Sequence, residues 1–156
     1  MQTLYKTLIV GAIFAIGMGT AIAADAVVGT WKLNLAKSTF SPGPAPKSQT
    51  RNYVESAQGM TVTVKTTAAD GKESSTTLSY KEDGKPYPES GSPDLDMVSL
   101  TRVDALTVHS TQTKAGATVG TAVRTVSKDG KTLTFTQKST NADGVKHDDV
   151  SVYDKQ

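Results

Sequence analysis

The sequence predicts an all-β protein whose strands form an antiparallel up-and-down meander, closed into a barrel of about 8–10 strands. The first two observations are a repeated dipeptide and its setting. Asp-Gly occurs at Asp70-Gly71, Asp83-Gly84, Asp129-Gly130 and Asp143-Gly144, between runs that alternate apolar and polar residues. Asp-Gly favours tight hairpin turns because their backbone needs a positive φ. Consecutive hairpins form a meander, and a long meander removes its edge strands by closing on itself.

Composition is the third observation. Residues 24–156 contain 20 Thr and 14 Val but no Ile. Thr and Val both favour strands. No segment of about 10 or more residues repeats its apolar positions with the helical period of 3.6, so we expect any helix to be short.

The first 23 residues read as a secretory signal peptide. Lys6 supplies a positive charge, residues 8–18 are apolar or glycine, and Ala21-Ile22-Ala23 fits a cleavage site. An uncleaved membrane anchor is the alternative, but its apolar core would need ~20 residues. We therefore expect a signal peptide at 1–23, a barrel domain at 24–156 without a membrane span, and a periplasmic or secreted location.

The charge of the predicted mature chain excludes some partners. Removal of Lys6 leaves 16 basic and 15 acidic residues, a formal charge of +1. Such a balanced surface argues against nucleic acid and against anionic membranes as partners. The chain has no cysteine, so its core must be stable without disulfides.

The expected strands follow from the turns in chain order. The first ends before the Pro-rich loop 40–47, and the third and fourth flank Asp70-Gly71. The fifth is doubtful, because Pro86 and Pro88 cannot donate ladder hydrogen bonds. These two prolines also begin a second Pro-rich segment, 86–93. The last two flank Asp143-Gly144. The ten expected strands are 27–35, 49–56, 60–67, 74–81, 85–88, 96–103, 106–113, 118–127, 132–139 and 146–153.

The loops of a meander alternate between its two ends. We call the end that holds the loop 40–47 end A, and the opposite end is end B. With ten strands, the loops at 70–71, 90–94, 115–116 and 143–144 also lie at end A. Without the fifth strand, the later loops would change ends.

Side-chain alternation predicts a cavity that opens at end A. The third, seventh and ninth strands each have one face that is apolar near end B and polar near end A. Strand ends that are simply more hydrated would give the same pattern. If the gradient marks a cavity, the loop 40–47 should rim its entrance. The predicted ligand-binding residues are then Thr66, Ser110, Gln112 and Gln137 near the mouth, and Val64, Val108 and Phe135 deeper inside.

The sequence Gly29-Thr30-Trp31, at the start of the first strand, resembles the Gly-x-Trp signature of lipocalins and the wider calycin group. With the Pro-rich loop and residues 152–156, the stretch 29–38 resembles small exported bacterial lipocalin-like proteins. The resemblance implies that Trp31 closes the barrel at end B beneath an arginine from a late strand. Arg124 is the closest match, with Arg102 as its competitor, so Gly29, Trp31 and Arg124 are the expected barrel-closing residues.

The chain departs from the lipocalin pattern in its strand number. Lipocalins usually have eight strands and a C-terminal helix, whereas ten strands suit the fatty-acid-binding or nitrobindin-like branch. A nitrobindin-like haem would need an inward His, but alternation places His109 outward and His147 at a strand start, so we expect no cofactor. An inward Arg102 or Arg124 could bind a carboxylate, although the paired arginines of fatty-acid-binding proteins lie in the last strands.

The remaining polar residues do not predict chemistry. In His147-Asp148-Asp149, neighbouring side chains on a strand point to opposite faces, so at most His147 and Asp149 could share a metal. We expect a solvated strand start there and no metal. Two histidines in these positions support no catalytic arrangement, and we expect no enzyme.

Two functions follow from this interpretation. The first is a barrel that binds a small hydrophobic or amphipathic molecule in its interior. The alternative is a protein-interaction module with a filled core, such as a protease inhibitor or an envelope stress protein. The interior discriminates them, because a filled barrel has no room for a ligand.

Overall fold

The protein is a closed antiparallel barrel of ten strands, seen in a computed structural model that describes residues 24–156. Each strand pairs with the next along the chain, and the last pairs with the first. The strands are β1 (Gly29–Leu33), β2 (Ser48–Ser56), β3 (Gly59–Thr67), β4 (Glu73–Tyr80), β5 (Asp83–Ser90), β6 (Met97–Arg102), β7 (Thr107–Lys114), β8 (Ala117–Val126), β9 (Thr132–Thr140) and β10 (Lys146–Lys155).

The predicted all-β meander is confirmed, including the doubtful fifth strand. Strand bounds lie within two residues of the expected ones. Between residues 24 and 156 the helix is limited to one short 3-10 turn, Leu35–Lys37, and the Asn34 side chain caps this turn by accepting a hydrogen bond from Lys37 N. Because all ten strands form, the loops lie at the ends assigned to them for ten strands.

Two sequence predictions concern membranes and export. Within residues 24–156 no helix has the length and apolar character of a membrane span. The predicted signal peptide at 1–23 lies outside the described residues and stays a prediction.

The Asp-Gly turns adopt the expected backbone. The four glycines have φ between 68° and 93°, a region that glycine enters without steric cost. The aspartates add a local constraint: the side chains of Asp70, Asp83 and Asp129 each accept a hydrogen bond from the backbone N–H two residues later, at 2.9–3.1 Å. That later residue is the lysine of each Asp-Gly-Lys sequence.

β1 and β10 close the barrel with a short ladder. Only three residue pairs are in register, including Trp31 opposite Lys155 and Leu33 opposite Tyr153. The backbone beyond β1 extends the contact, because Asn34 N donates to Val152 O at 2.8 Å and Thr39 pairs with Val150. The first Pro-rich loop therefore starts along the same edge of β10 that pairs with β1.

The contact between β4 and β5 is the least regular part of the wall. Only Thr77–Ser90 and Leu78–Glu89 are in register there. Glu89 N donates to Asp96 O at 2.9 Å, so the N–H of Glu89 points toward β6. Along a strand, the N–H groups of successive residues point alternately to one neighbouring strand and to the other. The nitrogens of Pro86 and Pro88 therefore face β4, and their missing N–H groups leave this ladder incomplete.

The apolar core lies toward end B and is centred on Trp31. The Trp31 side chain is fully buried, and its Nε1 donates to Val27 O at 2.7 Å. Lys155 Nζ lies 5.0 Å from the centre of the Trp31 ring. Gly29 has φ 123°, and a Cβ there would lie 3.2 Å from Lys155 Cε. The Gly-x-Trp sequence thus fits a strand start with a positive φ and little room for a side chain, followed by a buried indole.

Replacement of the indole should destabilise the barrel strongly. We expect Trp31→Ala to lower the free energy of unfolding by about 3–5 kcal/mol, because it leaves a large cavity in the core. Urea unfolding followed by circular dichroism measures this loss. The control is Lys32→Ala on the exposed face of β1, with a change within about 0.5 kcal/mol. A loss near 1 kcal/mol for Trp31→Ala would show that the indole is not central to the core.

Candidate functional site

The barrel interior holds a cavity of about 600 Å³. Inward side chains from β2 to β10 form its lining, together with residues from three loops at end A. A barrel of about eight strands has an interior that side chains can fill, so a wider ten-stranded barrel leaves space. This space is the candidate functional site.

The seven residues predicted from alternation all line this cavity. Their place follows from strand geometry, because every second residue of a closed barrel points inward. The seven residues are Val64, Thr66, Val108, Ser110, Gln112, Phe135 and Gln137. Their role in binding stays a prediction.

The lining changes character along the barrel axis. Near end B it is made of buried apolar side chains, such as Val62, Leu78 and Leu100. Near end A it is polar, and its groups bond to each other across neighbouring or nearby strands. Gln49 Nε2 donates to Thr66 Oγ1 at 2.8 Å, and Gln137 Nε2 donates to Gln112 Oε1 at 3.2 Å. The cavity therefore combines an apolar body with a polar mouth.

A glycine makes room for the second of these polar pairs. Gly120 on β8 lies next to Gln112, and a Cβ at this position would come within 2.5 Å of Gln112 Oε1 and 2.8 Å of Ser139 Cβ. Any larger residue at Gly120 would push the amide of Gln112 away from its present place.

The mouth is rimmed by a different Pro-rich segment from the one expected. Ser92, Asp94 and Leu95, in the loop between β5 and β6, belong to the lining, whereas none of the residues of 40–47 does. The expectation for 40–47 was wrong because Ser41 bonds along β10 instead: its N–H donates to Asp149 Oδ1 at 2.9 Å and its carbonyl accepts from Asp148 N at 2.8 Å. Ser41 borders a second, shallower hollow of about 430 Å³.

The floor of the cavity is closed by an ion-pair cluster that includes Arg124. Arg124 Nη1 donates to the Tyr80 hydroxyl and Nη2 to Glu82 Oε1, both at 2.8 Å. Glu82 also pairs with Arg102, which in turn pairs with Asp25. The two arginines therefore share one carboxylate at end B.

The expected stacking of Arg124 on Trp31 needs correction. The Arg124 guanidinium lies over the Tyr53 ring, 5.4 Å from its centre, and the cation over Trp31 is that of Lys155. Tyr80 and Glu82 hold Arg124 in this position through its hydrogen bonds. Arg124 still closes end B, but as part of the cluster around Glu82.

Arg51 on β2 is a lining residue that the sequence interpretation missed. Its guanidinium stacks over Phe135, 4.1 Å from the ring centre, and its Nε donates to the Tyr153 hydroxyl at 3.0 Å. The alternation of side chains along β2 could have predicted this position, since Gln49, Arg51 and Tyr53 share the inward face of the strand. Only Arg102 and Arg124 had been predicted as possible inward arginines.

Glu89 on β5 is the second missed residue, and it also lines the cavity. Burial raises the pKa of its carboxyl, while the Thr76 hydroxyl and the charge of Arg51 act in the opposite direction. The missing ladder bonds of Pro86 and Pro88 had made this strand doubtful, so no inward face was assigned to it.

The two histidines lie in different surroundings. His109 is exposed, as alternation predicted, whereas His147 is half-buried and lies at the mouth of the cavity. Asp148 forms an ion pair with Lys138 at 3.1 Å. Among residues 24–156 no group of three or more His, Asp or Glu side chains is placed to hold a metal ion.

No known protein-family model matches this sequence, and no curated protein matches it either.

Replacement of Glu89 by Gln should stabilise the protein more at neutral pH than at low pH. Burial raises the pKa of Glu89, so the folded state favours the protonated carboxyl. The Glu89 carboxyl makes its full contribution to the free energy of unfolding below its unfolded-state pKa of about 4.3. That contribution is lost as the pH rises through the higher folded-state pKa. Glutamine cannot ionise and escapes this loss.

The measurement is the free energy of unfolding of Glu89→Gln and wild type at about pH 4 and pH 7. The difference between variant and wild type should grow with pH. Glu73→Gln, at an exposed position on β4, is the control and should show no such growth. An equal difference at both pH values for Glu89→Gln would contradict the argument.

Proposed function

We propose that this protein binds a small, partly apolar molecule inside its barrel. The observation that carries the proposal is the cavity of about 600 Å³ with an apolar body and a polar mouth. Small-molecule sites usually have volumes of about 300–1,000 Å³ and combine apolar walls with a few polar groups. In this proposal, burial against Val64, Val108 and Phe135 provides affinity. Thr66, Ser110, Gln112 and Gln137 provide polar contacts.

The proposal extends to the class and location of the protein. We place it among the lipocalin-like binding proteins, because the barrel is a closed meander and Trp31 is buried at the start of its first strand. The Gly-x-Trp sequence alone is short, so the fold and the cavity support this assignment more than the motif does. The signal-like segment at 1–23 supports export to the periplasm or beyond. We assign the protein a binding role and no catalytic one.

The alternative, a protein-interaction module with a filled core, differs from this proposal in one measurable property. A filled barrel takes up no apolar probe, whereas a barrel with the cavity described here should do so. Uptake of a small neutral probe therefore separates the two functions.

Charge placed on the cavity wall should abolish probe uptake. The probe is N-phenyl-1-naphthylamine, a neutral molecule whose fluorescence rises in apolar surroundings. Wild type should bind it, and Val108→Arg should lose binding by at least about tenfold, because an unpaired charge in the cavity is costly. His109→Arg is the matched control: it adds the same charge one residue along β7, on the exposed face, and should bind normally.

A second variant covers the case in which Val108→Arg does not fold. Ser110→Phe fills the cavity with an apolar side chain at a half-buried lining position. It should reduce uptake of the probe while circular dichroism shows an intact barrel. Unchanged uptake in a folded Ser110→Phe or Val108→Arg protein would overturn the proposal, as would the absence of uptake by wild type.

A further inference from the structure

Arg51 holds a fixed position in the middle of β2, with its guanidinium facing the cavity. Phe135 supports one face of the guanidinium at 4.1 Å, and the Tyr153 ring lies 5.3 Å away. Its Nε donates to the Tyr153 hydroxyl, and that hydroxyl donates to Gln49 Oε1. The Tyr53 hydroxyl also lies beside the guanidinium and favours its charge, but no carboxylate of residues 24–156 lies at ion-pair distance from Arg51.

The three arginines of the described chain differ in how their charges are balanced. Arg124 forms an ion pair with Glu82 at 2.8 Å, and Arg102 pairs with both Glu82 and Asp25. For Arg51, residues 24–156 provide no carboxylate at ion-pair distance. A guanidinium stays charged at physiological pH, and a charge removed from bulk water is costly unless it is paired. Arg51 is thus a cation without an ion-pair partner among the described residues, on the wall of a cavity whose body is apolar.

The surroundings of Arg51 define what could serve as that partner. The Nη1–Nη2 edge of Arg51 is a planar pair of donors, which matches the two oxygens of a carboxylate. Val108 on β7 stands on the opposite wall of the ring of ten strands, next to Val98 and Leu100 on β6. A molecule with its acid group at Arg51 would therefore have apolar surface in front of it.

We propose that the ligand is an amphipathic carboxylic acid whose headgroup pairs with Nη1 and Nη2 of Arg51 and whose apolar part fills the cavity body. This inference rests on the proposed function and adds to it the chemical class of the ligand. Arg124 is a poorer anchor, because Glu82 and Tyr80 already occupy its Nη atoms.

Glu89 gives the proposal a second test of opposite sign. It lines the same cavity, and its charge interacts with that of Arg51. An ionised Glu89 repels an acid ligand and competes with it for Arg51. Replacement of Glu89 by Gln should therefore strengthen acid binding, whereas replacement of Arg51 by Gln should weaken it.

The experiment compares two probes with the same hydrocarbon chain, one with an ionisable headgroup and one with a neutral headgroup: cis-parinaric acid and its methyl ester. Wild type should bind the acid at least about tenfold more tightly than the ester, as expected for a charge-assisted hydrogen-bonded pair. Arg51→Gln should remove this preference and keep ester binding, and Arg51→Lys should keep part of it. Glu89→Gln should increase it. Lys65→Gln removes a positive charge from the exposed face of β3 and should change neither affinity.

The outcomes separate this inference from the proposed function. Equal affinity of wild type for acid and ester, or a full preference for the acid in Arg51→Gln, would overturn the role of Arg51 while the cavity still binds. Failure of wild type to bind acid, ester and N-phenyl-1-naphthylamine would overturn the proposed function itself. If Arg51→Gln does not fold, Arg51→Lys and Glu89→Gln still decide the question, since an unchanged preference in both contradicts the proposal.

Discussion

The interior of this protein depends on the pairing of β1 with β10. These strands share only three residue pairs in register, extended by the bond from Asn34 N to Val152 O and by the pairing of Thr39 with Val150. Closure fixes the inward face of every strand, because successive side chains must alternate between the cavity and the solvent. Ten closed strands enclose more volume than their side chains fill. The cavity is thus a consequence of closure at this strand number.

The two ends of the barrel differ, and the difference gives the cavity a direction. At end B the fully buried Trp31 and the ion pairs around Glu82 close the floor. At end A the lining includes several amide and hydroxyl groups, which can stay hydrated and can bond to a ligand. A molecule that enters at end A meets Arg51 on its way to the apolar body. The placement of charge therefore supports an amphipathic ligand better than a purely apolar one.

Alternation and turn chemistry were enough to predict the ten strands and the place of seven lining residues. Both signals are local: an Asp-Gly dipeptide marks a hairpin turn, and the two-residue period of a strand decides which face each side chain is on. Contacts between distant strands were harder to predict. The cation over Trp31 comes from Lys155, not Arg124, because Tyr80 and Glu82 hold Arg124 elsewhere. Glu89 was missed because prolines obscured its strand, and Arg51 because its stacking partner Phe135 lies seven strands further along the chain.

The central claim is that an amphipathic molecule occupies the barrel interior, and valine methyl resonances test it most directly. Val62, Val64 and Val108 line the cavity, whereas Val54 and Val103 are more than half exposed to solvent, at 52% and 56%. Titration with lauric acid, followed by carbon-13 methyl NMR, should shift the resonances of the three inward valines and leave the two exposed ones in place. Shifts confined to Val54 and Val103, or no shifts at saturating lauric acid, would contradict the account.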